Sequence, residues 1–425
     1  MSPTIFAVSS GPPPAAIGVI RVSGPRAGHA LSLLAGGLPT ARRASLRTLR
    51  ARDGRVLDQA LVLWFPGPDT ATGEDLAELH CHGGRAVLSA VVEALGAIEG
   101  LDRAEAGEFT RRAFTNGRLD LAQAEGLADL LAAETELQRA SALTNLAGGL
   151  SERFAVWREQ VLALSARVEA ELDFGDEDDV ATATGARLAG VEELRRDIVA
   201  WLERPRAEKL GEGIRVVLAG PPNAGKSTLF NALVESEAAI TSPLAGTTRD
   251  VIERSVAMEG VPFTLVDTAG LRELGADAIE RVGIDRARDQ VARADIVLWL
   301  GPEGEGPLGA WEVAARADAD DFVPKREPRV TVSATDQAAL SRLKQELIKA
   351  AGGLLPKPGE AAVNARQHAL LSEVAVALER AQYMRDYLLI GEELRGARLA
   401  LDRLIGRAAT EDMLDALFGR FCIGK

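Results

Sequence analysis

The stretch Gly220-Pro-Pro-Asn-Ala-Gly-Lys-Ser227 decides the fold, because it matches the phosphate-binding pattern G-x-x-x-x-G-K-[ST]. Ile214–Ala219 before it reads as a buried strand, and the run from Lys226 onward reads as an amphipathic helix. In such a loop the glycines let backbone N–H groups close around phosphates, the lysine charges the β- and γ-oxygens, and the serine hydroxyl can ligate Mg²⁺. A chance glycine-rich turn is the alternative, but it would not explain the flanking strand and helix. The stretch therefore predicts an α/β domain that binds a nucleoside triphosphate.

Two later stretches favour GTP over ATP. Gly246-Thr-Thr-Arg-Asp250 follows the first helix, where a switch loop would offer Thr248 to the metal ion. Val261–Gly270 reads as a strand that ends in Asp267-Thr-Ala-Gly, an aspartate followed by a glycine that can sense the γ-phosphate. Together the two stretches predict a Ras-like GTPase.

The base-recognition loop is the least regular part of this pattern. Val330–Ala334 ends a predicted strand in the Ser-Ala pair that usually contacts guanine. Where GTPases carry Asn-Lys-x-Asp, the best candidate is Ala315-Arg-Ala-Asp318, which keeps the carboxylate for guanine but lacks the Asn and the Lys. We expect a guanine preference with weakened affinity, and another register for this loop stays open.

The predicted nucleotide contacts come from the phosphate loop, the switch loop, the end of the next strand and the base loops. They are Asn223, Ala224, Gly225, Lys226, Ser227, Thr228, Ser242, Pro243, Leu244, Ala245, Gly246, Thr247, Thr248, Asp267, Thr268, Ala269, Gly270, Asp318, Ser333 and Ala334.

Hydrolysis needs a group that orients water. Leu271 stands where regulatory GTPases carry a glutamine, and an apolar side chain cannot orient water. Glu280 is our candidate for this catalytic role, beside Lys226, although a solvated helix carboxylate is the alternative interpretation of Glu280. Asn223 could offer its amide oxygen to a monovalent cation where other GTPases place an arginine finger.

Composition limits the function classes. The 425 residues allow two to four domains, and the net charge of −13 disfavours free-standing nucleic-acid binding except through local patches or a partner. Two distant cysteines, Cys81 and Cys422, argue for a reducing cytoplasm without disulfides. The sequence shows neither a signal segment nor a long apolar run, so we expect nothing that targets the chain to a membrane.

The pattern along the chain predicts a multidomain protein. Residues 1–118 read as an α+β domain, with strands such as Thr4–Val8. Residues 119–210 and 353–425 have helical periodicity, and the GTPase occupies 211–352 between them. We therefore expect an α/β GTPase domain inserted into a helical bundle, so that its switches can push on the bundle.

Motifs distributed along the chain carry a family resemblance. They are Thr72-Gly-Glu-Asp75, Glu78-Leu-His-Cys-His-Gly-Gly84, Gly107–Leu121 and the ending Phe421-Cys-Ile-Gly-Lys425. With the phosphate loop, these motifs make the whole chain similar to the MnmE (TrmE) family of tRNA modification GTPases.

The resemblance implies a homodimer joined through N-terminal domains that bind a tetrahydrofolate derivative, either 5,10-methylene- or 5-formyl-tetrahydrofolate. The family's folate positions fall on Arg21, Glu78, Arg118 and Lys425. Arg118 replaces an expected lysine, and Gly11-Pro-Pro-Pro14 replaces a more glycine-rich loop. Near this site Cys422 could be a reactive catalytic thiol, with a packing role as the alternative.

The resemblance also implies the activity. It predicts a cytoplasmic GTP hydrolase that works with an FAD-dependent, MnmG-like partner to add an aminomethyl or carboxymethylaminomethyl group at C5 of the wobble uridine (U34) of certain tRNAs. Mg²⁺ would be held by Ser227 and Thr248, and K⁺ by Asn223, Thr247 and the carbonyls of Ser242 and Leu244. One rival is a ribosome-assembly or switch factor, and another is a folate-binding transferase with a degenerate GTPase domain.

Overall fold

The structure, a computed structural model, describes residues 3–174, 184–236, 238–239, 252–268 and 288–425. Among them the chain forms two compact units, Met1–Ala128 with Leu401–Lys425, and Asp129–Ala400. Each unit has its own sheet and its own hydrophobic core.

The first unit is built around a six-stranded sheet in the order β3-β4-β5-β2-β1-β6. Its elements in chain order are β1 (Thr4–Val8), β2 (Ile17–Ser23), α1 (Ala27–Ala35), β3 (Ser45–Arg50), β4 (Val56–Phe65), β5 (Leu76–His82), α2 (Arg85–Gly96), β6 (Leu101–Arg103) and α3 (Glu108–Thr115). Side chains alternate along each strand, so one face carries apolar residues such as Ile20, Val62 and Leu79. Helices α1 and α2 cover that face with Leu31 and Val91.

The end of the chain belongs to this first unit. Helix α13 (Glu411–Phe418) packs Phe418 near Phe114 of α3, with ring centroids 6.1 Å apart. Beyond it, Ile423 forms an antiparallel bridge with Ala106. Gly424 adopts φ +95°, and a Cβ there would lie 2.3 Å from the Val8 carbonyl oxygen, so only glycine fits against β1.

The second unit contains a seven-stranded sheet in the order β13-β12-β11-β7-β10-β9-β8. The strands are β7 (Ile214–Ala219), β8 (Ala238–Ala239), β9 (Ile252–Met258), β10 (Val261–Asp267), β11 (Ile296–Trp299), β12 (Trp311–Ala315) and β13 (Val330–Val332). Strand β7 lies between β10 and β11 and is parallel to both, and β12 and β13 continue the parallel arrangement. Because parallel strands end at one edge, the carboxyl ends of β7, β10, β12 and β13 lie together there.

The remaining regular elements of the described chain are helices. They are α4 (Leu121–Ala132), α5 (Glu136–Leu146), α6 (Gly149–Phe174), α7 (Thr184–Leu202), α8 (Ala207–Glu212), α9 (Lys226–Glu235), α10 (Gln337–Ala351), α11 (Ala365–Tyr383) and α12 (Tyr387–Leu404). Helix α7 precedes the seven-stranded sheet in the chain and packs against α11, which follows the sheet. Trp157 of α6 is fully buried, and its Nε1 donates a 2.7 Å hydrogen bond to Asp197 of α7.

This architecture confirms the predicted fold class: an α+β N-terminal part, a helical part and a Ras-like α/β part. Within the described ranges, no helix combines the length and the hydropathy that a membrane span requires.

Candidate functional site

The phosphate loop links β7 to α9. Asn223 and Gly225 have positive φ angles of +63° and +90°, which wrap the backbone into the tight turn that precedes the helix. Lys226 begins α9 and is only 5% exposed, and its Nζ donates to the carbonyls of Gly220 (3.0 Å) and Pro221 (2.8 Å). The loop thus holds a buried cation at the amino end of a helix, a favourable place for phosphate oxygens.

A cavity of about 830 Å³ opens over this loop. Its walls come from the phosphate loop, the start of α9, and the ends of β12 and β13 with the loops that follow them: Pro222, Asn223, Gly225, Lys226, Ser227, Thr228, Leu229, Ala315, Arg316, Asp318, Ala319, Val332, Ala334 and Thr335. Seven of the predicted nucleotide contacts therefore share one cavity: Asn223, Gly225, Lys226, Ser227, Thr228, Asp318 and Ala334. This volume suits a ligand of nucleotide size.

The far end of the cavity presents the Asp318 carboxylate. Thr335 Oγ1 donates to Asp318 Oδ2 at 3.1 Å, and the Ser333 hydroxyl lies 2.8 Å from that of Thr335. Hydrogen bonding from Ser333, and then from the Asp318 backbone and Thr335, lowers the pKa of Asp318 below its usual value. The carboxylate is therefore ionised at neutral pH and can accept two N–H groups from a guanine edge.

Arg316 connects the base loop with the phosphate loop, a contact that the sequence analysis missed. Its Nη1 donates to the Asn223 carbonyl at 3.3 Å, and its Nη2 donates to Asp321 Oδ1 at 2.7 Å. The residue has φ +59°, and its Cγ would lie 3.0 Å from a Cβ placed on Gly225. Arg316 stands at the lysine position of Asn-Lys-x-Asp, so its basic character was the available signal for this contact.

The end of β10 lies beside the phosphate loop strand. Asp267 is 1% exposed and pairs in register with Leu218 of β7. The hydroxyl of the next residue, Thr268, donates to the Leu218 carbonyl at 2.8 Å. The Thr268 side chain thus ties two strands together. Ala224, another predicted contact, packs its side chain against the hydrophobic core.

Several predicted residues lie outside the described residues, so their assignments stay predictions. They are Glu280, Ser242, Pro243, Leu244, Ala245, Gly246, Thr247, Thr248, Ala269 and Gly270, together with Leu271.

A second polar group lies on the first unit's sheet. The antiparallel register sets Arg21 opposite Glu78, and Arg21 donates to Glu78 Oε1 from Nη2 (2.8 Å) and Nε (3.1 Å). His80 Nε2 lies 3.3 Å from Glu78 Oε2, and the Arg21 guanidinium lies 5.8 Å from the Phe109 ring centroid. Burial by itself raises the pKa of Glu78, but bonding to Arg21 and His80 outweighs it, so the pKa is lowered and the group is ionised at neutral pH.

The other predicted folate residues, Arg118 and Lys425, belong to the same unit. Arg118 Nη1 pairs with Asp69 Oδ1 at 3.3 Å, and the backbone N–H of Lys425 donates to the Cys422 carbonyl at 3.2 Å. Cys422 is an exposed free thiol, whereas burial raises the pKa of Cys81 to about 12. Within the described part of the chain, no hydrogen bond or ion pair joins Arg118 or Lys425 to Arg21 or Glu78.

Comparison with known proteins finds two family models that together match almost the whole chain. The family model described as GTP-binding protein TrmE N-terminus matches residues 4–118, and the model described as MnmE helical domain matches residues 121–422. The tRNA modification GTPase MnmE of Erythrobacter litoralis is 63% identical, and the match covers 99% of this chain and 100% of that protein. The protein of the same description from Novosphingobium aromaticivorans is 59% identical, and the match covers 100% of this chain and 100% of that protein. The chain therefore belongs to the MnmE family of tRNA modification GTPases.

Proposed function

We propose that this chain hydrolyses GTP and works with an FAD-dependent, MnmG-like partner to add an aminomethyl or carboxymethylaminomethyl group at C5 of the wobble uridine of certain tRNAs. One observation supports this proposal best: the chain carries both a phosphate-loop cavity and a separate polar site on its N-terminal sheet. The chain is also similar along its whole length to tRNA modification GTPases. A GTP-driven switch factor would need only the cavity.

In the GTPase part, Lys226 and the backbone of the phosphate loop would bind the phosphates, and Asp318 would select guanine. The exposed Ser227 hydroxyl lines the cavity at the start of α9, so it fits Mg²⁺, which prefers oxygen ligands. Thr248 would be the second protein ligand. Asn223 also lines the cavity and fits K⁺ through its amide oxygen, with Thr247 and the carbonyls of Ser242 and Leu244 as further ligands. Bound there, these cations would supply positive charge against the phosphates.

The N-terminal site would bind a tetrahydrofolate derivative as the one-carbon source. The Glu78 carboxylate suits the adjacent N–H donors of a pterin, and Arg118 and Lys425 suit the carboxylates of the glutamate tail. The Arg21 guanidinium donates two hydrogen bonds to Glu78 and holds its carboxylate in one position, so Arg21 would orient that carboxylate toward the pterin. Cys422 is exposed, as a thiol that reacts must be.

Folate binding should therefore depend on the Arg21–Glu78 pair and not on nucleotide. Arg21→Ala and Glu78→Gln are each expected to weaken 5-formyltetrahydrofolate about 10- to 100-fold, because each removes a charge-assisted hydrogen bond. Calorimetry of the full-length chain without GTP measures this affinity. Arg103→Ala, an exposed arginine of β6, serves as the control and should bind normally. If a well-folded unaltered chain shows no heat of binding, the folate has no place in the reaction.

The assembly belongs to the same proposal. The chain would form a homodimer through residues 1–118, with the helical domain divided into 119–210 and 353–425 around a GTPase domain at 211–352. It would act in the cytoplasm on tRNA, and FAD would enter only through the partner. The packing of α7 against α11 supports a helical domain that the GTPase interrupts.

Mass analysis of tRNA nucleosides tests this function. Cells that lack the chain should lose the C5 modification of wobble uridine. The unaltered gene should restore it and Lys226→Ala should not, because the buried phosphate-loop cation would be gone. An unchanged wobble uridine together with altered ribosomal particles would instead favour the ribosome-assembly alternative.

A further inference from the structure

One segment of the acidic chain is strongly basic. Six arginines fall within residues 42–55, where Asp53 is the single acidic residue, although the whole chain has a net charge of −13. We name these six the arginine edge: Arg42, Arg43, Arg47, Arg50, Arg52 and Arg55. At physiological salt the Debye length is about 8 Å, so the distant acidic residues do little to cancel such a local charge.

The fold puts the arginine edge at the rim of the first unit's sheet. Among the described strands, β3 pairs only with β4, so it is an edge strand of this sheet, and it is about 20 Å long. Two of the arginines precede β3, two lie on it and two lie in the turn that leads to β4. Five of the six are exposed, and Arg47 is partly buried, with an Nε that has no hydrogen-bond partner among the described residues.

The contacts of these arginines leave their charge available. Arg50 Nη1 donates to the Gly54 carbonyl at 3.1 Å, and Arg42 donates to the Asp69 carbonyl. Neutral carbonyls fix a guanidinium in place without neutralising it. In the described part of the chain, only Arg55 of the six forms an ion pair, with Asp53 at 3.9 Å, and both partners are 67% exposed. An ion pair so open to solvent is weak.

The same charge decides what can bind there. An exposed edge strand can pair with a strand of another copy, but two arginine edges would repel each other. A polyanion instead gains from several guanidinium groups at once, because each neutralised phosphate releases counterions. Asp69 links the edge to the N-terminal site, since its carbonyl accepts from Arg42 and its carboxylate pairs with Arg118.

We propose that the arginine edge binds the phosphate backbone of the tRNA substrate and brings the RNA to the site that contains Arg118. This inference rests on the proposed function, because that function supplies the tRNA. The contacts are with phosphates, so they set affinity and position and not the choice of base.

The test is tRNA binding by full-length chains over a range of KCl concentrations. The variant Arg43→Gln/Arg50→Gln/Arg52→Gln should reduce the slope of log affinity against log salt by about three, and should weaken binding at least about tenfold near 0.1 M salt. The control Arg196→Gln/Arg380→Gln/Arg395→Gln makes the same change in formal charge at three arginines outside the edge that are also exposed. The control should bind like the unaltered chain, and the variant Arg43→Lys/Arg50→Lys/Arg52→Lys should keep most of the affinity.

Each of three other outcomes would contradict the inference. If the glutamine variant binds tRNA as the control does while the unaltered chain binds well, the arginine edge is not the RNA surface, and the proposed function stands. If the unaltered chain binds no tRNA, the inference is wrong, and the nucleoside analysis decides the proposed function separately. If the substitutions reduce binding only to vesicles of anionic phospholipid, the edge contacts a membrane surface instead of RNA.

Discussion

GTP turnover is expected to rise on the order of 10³-fold when K⁺ replaces Na⁺, and Glu280→Ala is expected to remove most of the K⁺-supported rate. Leu271 cannot orient water, so another group must, and Glu280 is the candidate. Among the described residues that line the cavity, Arg316 is the one arginine, and its guanidinium is already bonded to the Asn223 carbonyl and Asp321. A cation beside Asn223 would supply the charge that an arginine finger provides in other GTPases.

Phosphate release at equal ionic strength in KCl and NaCl measures this effect, and nucleotide titration separates binding from turnover. Glu280→Ala should bind GTP with unchanged affinity. The exposed Glu305 provides the matched control, since Glu305→Ala should hydrolyse GTP normally. The rate should also rise with protein concentration if contact between two GTPase domains holds the switch loop over the nucleotide. Equal rates in the two salts, or a fully active Glu280→Ala variant, would rule out this mechanism and leave GTP binding intact.

Asp318→Asn is expected to weaken GTP about 100-fold or more and to improve xanthosine triphosphate binding. The Asp318 carboxylate can accept two guanine N–H groups, whereas an asparagine offers one acceptor and one donor and so suits the xanthine edge better. Hydrogen bonding from Ser333 and Thr335 holds the Asp318 carboxylate in place and lowers its pKa, so the substitution changes an acceptor that is already positioned.

Competition titrations with GTP and xanthosine triphosphate measure the preference. Asp320→Asn, an exposed carboxylate two residues along the same loop, should leave it unchanged. An unchanged preference in Asp318→Asn would mean that another segment reads the base.

Local pattern was enough to predict the phosphate loop and its flanking elements. The sequence placed a strand at Ile214–Ala219 and a helix from Lys226, and both are present with these bounds. Strand Thr4–Val8 is likewise confirmed. These segments were predictable because buried parallel strands are continuously apolar and the loop's residue types follow from phosphate chemistry.

Contacts that depend on tertiary register were not predictable in the same way. The Arg316 contact with Asn223 joins residues 93 positions apart and needs a left-handed backbone at Arg316. Strand β3 was missed because Arg47 and Arg50 make it resemble a polar loop, although Leu49 within it is fully buried. Arg21 and Glu78 were predicted as folate residues from the family resemblance, but their ion pair was not predicted, because it depends on the antiparallel register of β2 and β5.

The first unit contains residues from both ends of the chain, and this affects how the unit folds while the chain is being synthesised. Residues up to Ala128 leave the ribosome roughly 270 residues before Leu401–Lys425 begin to appear. At about 5–20 residues per second, this interval lasts roughly 15 to 50 s. Throughout it the apolar surface that Phe418 and Phe421 later cover, including Phe114 and Leu121, stays open to solvent. The nascent chain is therefore expected to need a chaperone during this interval, and the N-terminal unit to reach its final packing only after the GTPase has been translated.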